Sequence, residues 1–352
     1  MFKLHCAAAP ALFAAVLSLS AVHAQTPMPT TPVRGHADVF VPDTRRIAFV
    51  SKVNGHAYSI DVAWPEALQP PGGYPVIYVL DGNAYFASVT DAVRANGNAP
   101  QAIVVGIGYP AADPAWRAAY LAKIKFLPAG LPTVQAAGRA ISLARVYDLT
   151  SAVDDDSLKQ AVATGVTATA ADFGGVDDFL KTIETEVKPR VLALAAENHV
   201  KVNQQNQTLF GHSLGGLAVL DALFTEPGAY RTFVAASPSI WFADRAILAK
   251  EAAFDAMVTS GKAAPRILIT VGADEENASN LPAALAGRQA QLAALLKKDR
   301  MVGNACDLAA RLQTLHGAAG YEVADCAVFA HQEHGISVWP AIGRAVSFAF
   351  PH

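Results

Sequence analysis

Apolar residues fall into short continuous runs separated by segments of helical length. The character of the chain changes at Arg46, where Ile47 to Val53 and His56 to Trp64 read as strands joined by Asn54-Gly55, a dipeptide suited to the positive-φ positions of a tight hairpin. Two antiparallel strands are therefore expected to open the fold. The runs Pro75 to Leu80 and Ala102 to Ile107 flank a helix-length segment from Ala84 to Asn96, and such uninterrupted runs suit parallel strands covered on both faces. The alternation continues with a helix over Val176 to Glu197, a strand over Gln207 to Phe210 and a helix over Leu214 to Phe224. Strands follow at Arg231 to Ala236, Arg266 to Val271 and Tyr321 to Phe329, and a last helix lies near Trp339 to Phe348. This order predicts an α/β domain over residues 46–352, a mostly parallel central sheet with helices on both faces.

One stretch breaks the rhythm. From Tyr109 to Ala171 the chain mixes Trp116, Arg117, Lys123, Lys125 and Phe126 with small residues and shows no clear strand. Placed after a strand end of an open α/β sheet, an insertion over 110–171 would lie above the ligand crevice as a lid, or form a peripheral helical elaboration.

The N-terminal 24 residues have the pattern of a secretory signal: Lys3, an apolar run from Ala7 to Val22, and small residues around a cleavage point after Ala24. The run falls short of the roughly 18 to 20 residues that a spanning helix requires, so an anchor is the weaker reading. A periplasmic or secreted protein is expected, without membrane insertion after cleavage. Residues 25–45, rich in Pro and Thr at first, read as a leader. The 27 Lys and Arg face 30 Asp and Glu, net −3, and removal of Lys3 makes the balance −4. That balance argues against nucleic acid as a partner. Beyond the leader remain Cys306 and Cys326, for which an oxidising compartment allows a disulfide. Neither sits in a metal-ligand cluster, so no metal or organic cofactor is implied. No feature specifies an oligomeric state.

The segment that carries chemistry is Leu209-Phe210-Gly211-His212-Ser213-Leu214-Gly215-Gly216. Glycines two before and two after a serine, between a strand and a helix, form the Gly-x-Ser-x-Gly elbow that projects a hydroxyl from a sharp turn. The spacing alone arises about 0.1 times by chance in a chain this long, so its weight comes from the strand before and the apolar helix after. The Leu214 N–H, at a helix start, is placed to receive an oxyanion. Its partner donor is expected from the backbone of Gly82 or Asn83, in the turn after the strand ending at Leu80. In an α/β hydrolase an acid and then a histidine follow the serine. Gly272-Ala273-Asp274-Glu275-Glu276 offers three carboxylates at a strand end, with Glu275 chosen over Asp274 and Glu276. His334, followed by Gly335, is chosen as base over His331, because the last strand ends there and imidazole exchanges protons near neutrality. His212 is expected to pack against the elbow. The partner is then a small-molecule ester, cleaved through an acyl-enzyme. An acyltransferase using the same residues, or a binding protein on an inactive hydrolase fold, are the alternatives.

Taken in order, Tyr78-Val79-Leu80-Asp81-Gly82, Arg145-Val146-Tyr147-Asp148-Leu149-Thr150, Gly174-Gly175, Glu186-Val187-Lys188-Pro189, the elbow, Ser237-Pro238-Ser239 with Trp241, and His334-Gly335 resemble the esterase family of α/β hydrolases that contains the enterochelin (catecholate siderophore) esterases, related to the S-formylglutathione hydrolase and antigen-85 types. The resemblance runs from about Arg46 to the end. It implies Ser213 as nucleophile, His334 as base, and Glu275 as the acid of a Gly-x-x-Glu pattern; some members of the group work with a Ser-His pair alone. Siderophore esters are the substrates it implies, for which Lys123, Lys125 and Arg145 are candidate contacts to an anionic group. The chain departs from the family in the alanine-rich stretch from Thr150 to Ala171, where relatives continue with Pro soon after Asp-Leu-Thr.

Overall fold

A computed structural model describes residues 41–97, 100–124, 130, 132–155, 158, 169–277 and 289–351, which fall in one unit beginning at Val41. The signal-like residues 1–24 and most of the expected leader 25–45 lie outside the described residues, as do Lys125, Phe126 and most of the alanine-rich stretch. The strands are β1 (Thr44–Val50), β2 (Ala57–Ala63), β3 (Tyr74–Val79), β4 (Ile103–Gly108), β5 (Val202–His212), β6 (Thr232–Ala236), β7 (Arg266–Gly272), β8 (Glu322–Val323) and β9 (Ala327–Phe329). They form a sheet of order β1-β2-β4-β3-β5-β6-β7-β8, with β9 also on β7. The β1–β2 and β2–β4 pairs are antiparallel and the other pairs parallel.

The unbroken apolar runs are explained by the two layers they serve. Alternate residues of each central strand enter opposite cores: Tyr78, Val105, Leu209, Phe233 and Ile267 join one, and Ile77, Val79, Val104, Phe210, Val234 and Leu268 join the other. Period-2 alternation with apolar cover on both sides leaves little place for polar residues in the runs, with Thr208, Thr232 and Thr270 buried within β5, β6 and β7. The second core is completed by α1 (Gly82–Arg94) and the C-terminal helix Val338–Ala349.

Three expectations are corrected. The hairpin is wider than a two-residue turn: Val50 is the last ladder partner of Ala57, Ser51 and His56 add one bond of 2.8 Å, and Asn54 accepts from the His56 N–H at 3.0 Å to shape the loop. The expected strand from Tyr321 to Phe329 is two short pieces, parted where Cys326 turns aside to form a disulfide with Cys306, on the helix Met301–Gln313. The helix expected over Val176 to Glu197 contains a π-turn at Ile183–Val187, just ahead of Pro189, which has no N–H with which to continue the α ladder.

The insertion contributes α2 (Pro114–Leu121) and α3 (Thr133–Asp148). Asp113 caps α2 through the Ala115 N–H at 2.8 Å, and buried Trp116 stacks on Tyr109 at the end of β4 with ring centroids 5.8 Å apart. These contacts fix the insertion over the carboxyl end of the sheet.

The disulfide closes a span of 20 residues, so its loss is expected to lower stability by about 3 kcal/mol in the chain-entropy account, a melting-temperature drop of about 5 °C for a domain of this size. Calorimetry of a Cys306→Ala/Cys326→Ala variant checks this, and an unchanged melting temperature contradicts it.

Candidate active site

Parallel strands bring their carboxyl ends to one edge of the sheet, and the groups picked out by sequence meet there. β5 runs directly into Ser213, and α4 (Leu214–Thr225) begins at the next residue. The turn is so sharp that Ser213 holds φ 62, ψ −121, a conformation that costs on the order of 1–3 kcal/mol for a residue with a side chain. Gly211 makes it possible, since a methyl group there would run into the Gly215 carbonyl. The Ser213 N–H donates to Ala236 O at 3.0 Å, tying the elbow to the end of β6.

His334 lies in the turn after β9. Its Nε2 is 2.9 Å from Ser213 Oγ and its Nδ1 is 2.6 Å from Glu275 Oε2. The Glu275 side chain is fully buried, whereas 41% of the His334 side chain is exposed, so the imidazole is reachable from solvent and the carboxylate is not. Burial pushes the Glu275 pKa up, but bonds from His334, Ser237 Oγ and the Gly272 N–H (2.7 Å) outweigh it and hold the carboxyl below its usual range. Of the three adjacent carboxylates Glu275 is the one that reaches the imidazole; Glu276 accepts from the Gly303 N–H at 2.9 Å. His331 sits exposed in a left-handed turn with φ 59.

Several residues of this arrangement escaped sequence reasoning. Ser237, buried and itself at φ 43, donates to Glu275 Oε1 at 2.5 Å and lies 2.9 Å from Ser337 Oγ, which donates to the His334 carbonyl at 3.0 Å. The Ser-Pro-Ser motif signalled Ser237 without giving its partner. His212 does more than pack: its Nε2–H donates to the same carbonyl at 3.0 Å, and its Nδ1 accepts from Tyr85 OH at 3.2 Å. Burial, and then the charge on His334, lower the His212 pKa to about 4, so the ring stays neutral.

The expected backbone donors begin two helices. Leu214 heads α4 and Gly82 and Asn83 head α1, positions whose N–H groups have no acceptor within their own helix. Asn83 binds the strand end beside it, accepting from the Tyr109 N–H at 2.7 Å and donating to Tyr109 O at 2.9 Å. A cleft of about 350 Å³ opens over these groups, with Gly138, Ile141 and Arg145 of α3 facing Asp81, Asn83, Tyr85, Ser213 and His334. Arg145, a candidate contact to an anionic group, lines the cleft with its guanidinium held by both oxygens of Asp81. Lys123 lies over the Tyr120 ring, 5.1 Å from its centroid. Among the described residues no group of three His, Cys, Asp or Glu is placed to hold a metal ion.

Comparison with known proteins agrees with this architecture. A family model described as "Putative esterase" matches residues 133–310. The ferri-bacillibactin esterase BesA of Bacillus subtilis is 31% identical over 316 residues, covering 88% of this chain and 90% of the relative. The siderophore triacetylfusarinine C esterase of Aspergillus fumigatus is 28% identical, covering 86% and 91%. Among solved structures, the siderophore hydrolase EstB of Aspergillus nidulans matches with TM-score 0.67 and 25% identity over 90% of this chain and 98% of that one, and the BES protein of Bacillus cereus with TM-score 0.64 and 26% identity over 90% and 97%. With this sequence match over most of its length and this fold, the chain belongs to that esterase family and is a carboxylic ester hydrolase on an α/β-hydrolase scaffold.

Proposed function

We propose that the protein is an exported serine esterase that opens siderophore esters through an acyl-enzyme, with Ser213 as nucleophile, His334 as general base and acid, and Glu275 as the group that orients the imidazole. The observation that carries the reading is the continuous line from Ser213 Oγ to His334 Nε2 (2.9 Å) and from His334 Nδ1 to Glu275 Oε2 (2.6 Å). A buried carboxylate accepts the Nδ1–H, which leaves the Nε2 lone pair facing the hydroxyl; this fixes the tautomer a base requires. As Ser213 Oγ attacks the ester carbonyl its proton passes to Nε2. Glu275 stabilises the imidazolium, and the oxyanion is met by the Leu214 N–H together with Gly82 or Asn83 N–H. The imidazolium then protonates the leaving alkoxide, and water, activated by the same nitrogen, releases the acid.

The substrate class is taken from relatives that are named esterases of ferri-bacillibactin, triacetylfusarinine C and enterobactin. The scissile ester would enter the cleft beneath α3, where Ser213 and His334 are reached, and the inserted helices are assigned as part of a lid over it. Export is assigned on the signal-like residues 1–24 and the Cys306–Cys326 disulfide. N-terminal sequencing of the protein recovered outside the cytoplasm should begin at Gln25; a retained leader counts against export.

Replacing Ser213 by Ala should lower kcat by about 10⁴-fold or more on p-nitrophenyl butyrate and on a siderophore triester, with the circular dichroism spectrum unchanged. Turnover within tenfold of wild type refutes the nucleophile. Glu275→Gln should lower kcat by about 10²- to 10⁴-fold, whereas a loss below threefold assigns the chemistry to the Ser-His pair alone.

His212 adds a pH dependence of stability. Its unfolded imidazole takes up a proton near pH 6.5 but the folded ring only at about 4, so between these values the unfolded chain holds more protons and stability rises with pH. The contribution, on the order of 3 kcal/mol, is present above 6.5 and lost as pH falls toward 4. Urea denaturation at pH 7 and pH 5 should show the loss in wild type and a flatter dependence in His212→Asn; parallel profiles contradict the assignment.

A further inference from the structure

We propose that Arg145, on the inserted helix α3, is a positioning residue for the oxyanion donors and acts through Asp81. This rests on Ser213 being the nucleophile and concerns what holds the turn opposite it. Asp81 follows β3 in a left-handed conformation, φ 54, and only 8% of it is exposed. It stands at the N-cap position of α1, yet its side chain caps no helix N–H. Both carboxylate oxygens are taken by one guanidinium instead: Arg145 Nε donates to Oδ1 and Nη2 to Oδ2, each at 2.8 Å.

The same carboxylate lies against the elbow helix, since a methyl group at Gly215 would come within 3.2 Å of Asp81 Oδ2. A negative charge therefore sits beside Gly82 and Asn83 on one side and one residue from Leu214 on the other, in the cleft where the ester oxygen becomes negative. Left unpaired, it would oppose that oxyanion and draw the helix-start N–H groups toward itself. The planar fork of Arg145 cancels the charge and fixes both oxygens at once, which a lysine cannot do.

A second tie runs in parallel. Asp148, the last residue of α3 and one turn beyond Arg145, accepts from Tyr109 OH at 3.0 Å, and the Tyr109 backbone holds the Asn83 side chain at 2.7 and 2.9 Å. The insertion thus grips the donor turn at Asp81 and at Asn83. The Leu-Asp-Gly and Arg-Val-Tyr-Asp motifs, far apart in the chain, are two halves of one device.

The test is steady-state kinetics of the full chain on p-nitrophenyl butyrate, an uncharged ester that offers no anion to Arg145. Arg145→Ala should lower kcat by about 10- to 100-fold with KM within threefold of wild type. Arg145→Lys should fall between, keeping the charge without the fork. Adding Asp81→Asn to Arg145→Ala should recover at least threefold in kcat, because the uncompensated charge is gone. A loss confined to KM, or a double variant no faster than Arg145→Ala, overturns the proposal in favour of a substrate contact or a purely structural role. If Arg145→Ala does not fold, Arg145→Lys carries the kcat and KM comparison, and Asp81→Asn/Arg145→Gln, a neutral bonded pair, carries the rescue. Ser213→Ala measured alongside reports on the nucleophile separately: activity surviving there removes that assignment, whatever the Arg145 variants do.

Discussion

The backbone of Ser213 is the constraint around which this molecule is arranged. At φ 62, ψ −121 the residue leaves β5 and starts α4 with no intervening turn, and this aims its hydroxyl out of the sheet instead of into either core. The strain persists only if the surroundings leave no alternative. Gly211 and Gly216 sit where a methyl group would meet the backbone of Gly215 and Ala236, and the Ser213 amide and carbonyl are bonded to Ala236 O and Ser239 N at 3.0 and 3.2 Å. The buried strands on both sides cannot shift without opening two cores, so their packing energy holds the corner in place.

A second strained residue bears in the same way on Glu275 and His334. Ser237 follows β6 at φ 43, and its hydroxyl donates to Glu275; Ser337 Oγ lies 2.9 Å from Ser237 Oγ and gives its own proton to the His334 carbonyl. The turns after β6, β7 and β9 are thereby packed together around Glu275 and His334. His212 adds a donor to the same carbonyl from the elbow. The imidazole is bonded through both ring nitrogens and through its backbone carbonyl, which holds it against Ser213, the preorganisation that the proposed proton transfer requires.

How far this was legible depends on whether the cause is local. The elbow could be read because steric crowding at one turn dictates glycine at fixed offsets. The central strands could be read because burial on both faces demands continuous apolar residues. Glu275 was set apart from Asp274 and Glu276 only by the Gly-x-x-Glu pattern of the resemblance, since its physical distinction is burial against His334, 59 residues away. Ser237 and Ser337 were invisible as partners for the same reason, their contact spanning 100 residues. The hairpin width and the break before β9 were misread because side-chain and disulfide bonds, at Asn54 and Cys326, overrode local propensity.

The division between strand ends and insertion also explains why chemistry and specificity are unequally written in the chain. Among the described residues, Ser213, Leu214, Gly82, Asn83, Ser237, Glu275 and His334 all stand in the turns that follow β3, β5, β6, β7 and β9, where the sheet sets their spacing. The wall that faces the substrate comes from α3, whose Gly138, Ile141 and Arg145 are ordinary helix residues until the helix is docked. Because α3 is fastened to the turn of Asp81, Gly82 and Asn83 through Arg145 and through Asp148 and Tyr109, the element that walls the cleft also bears on the proposed oxyanion donors. A change of substrate made by remodelling the insertion must therefore preserve those two attachments. The Arg-Val-Tyr-Asp segment that carries them constrains the end of α3, while the residues facing the cleft upstream of it remain free to vary.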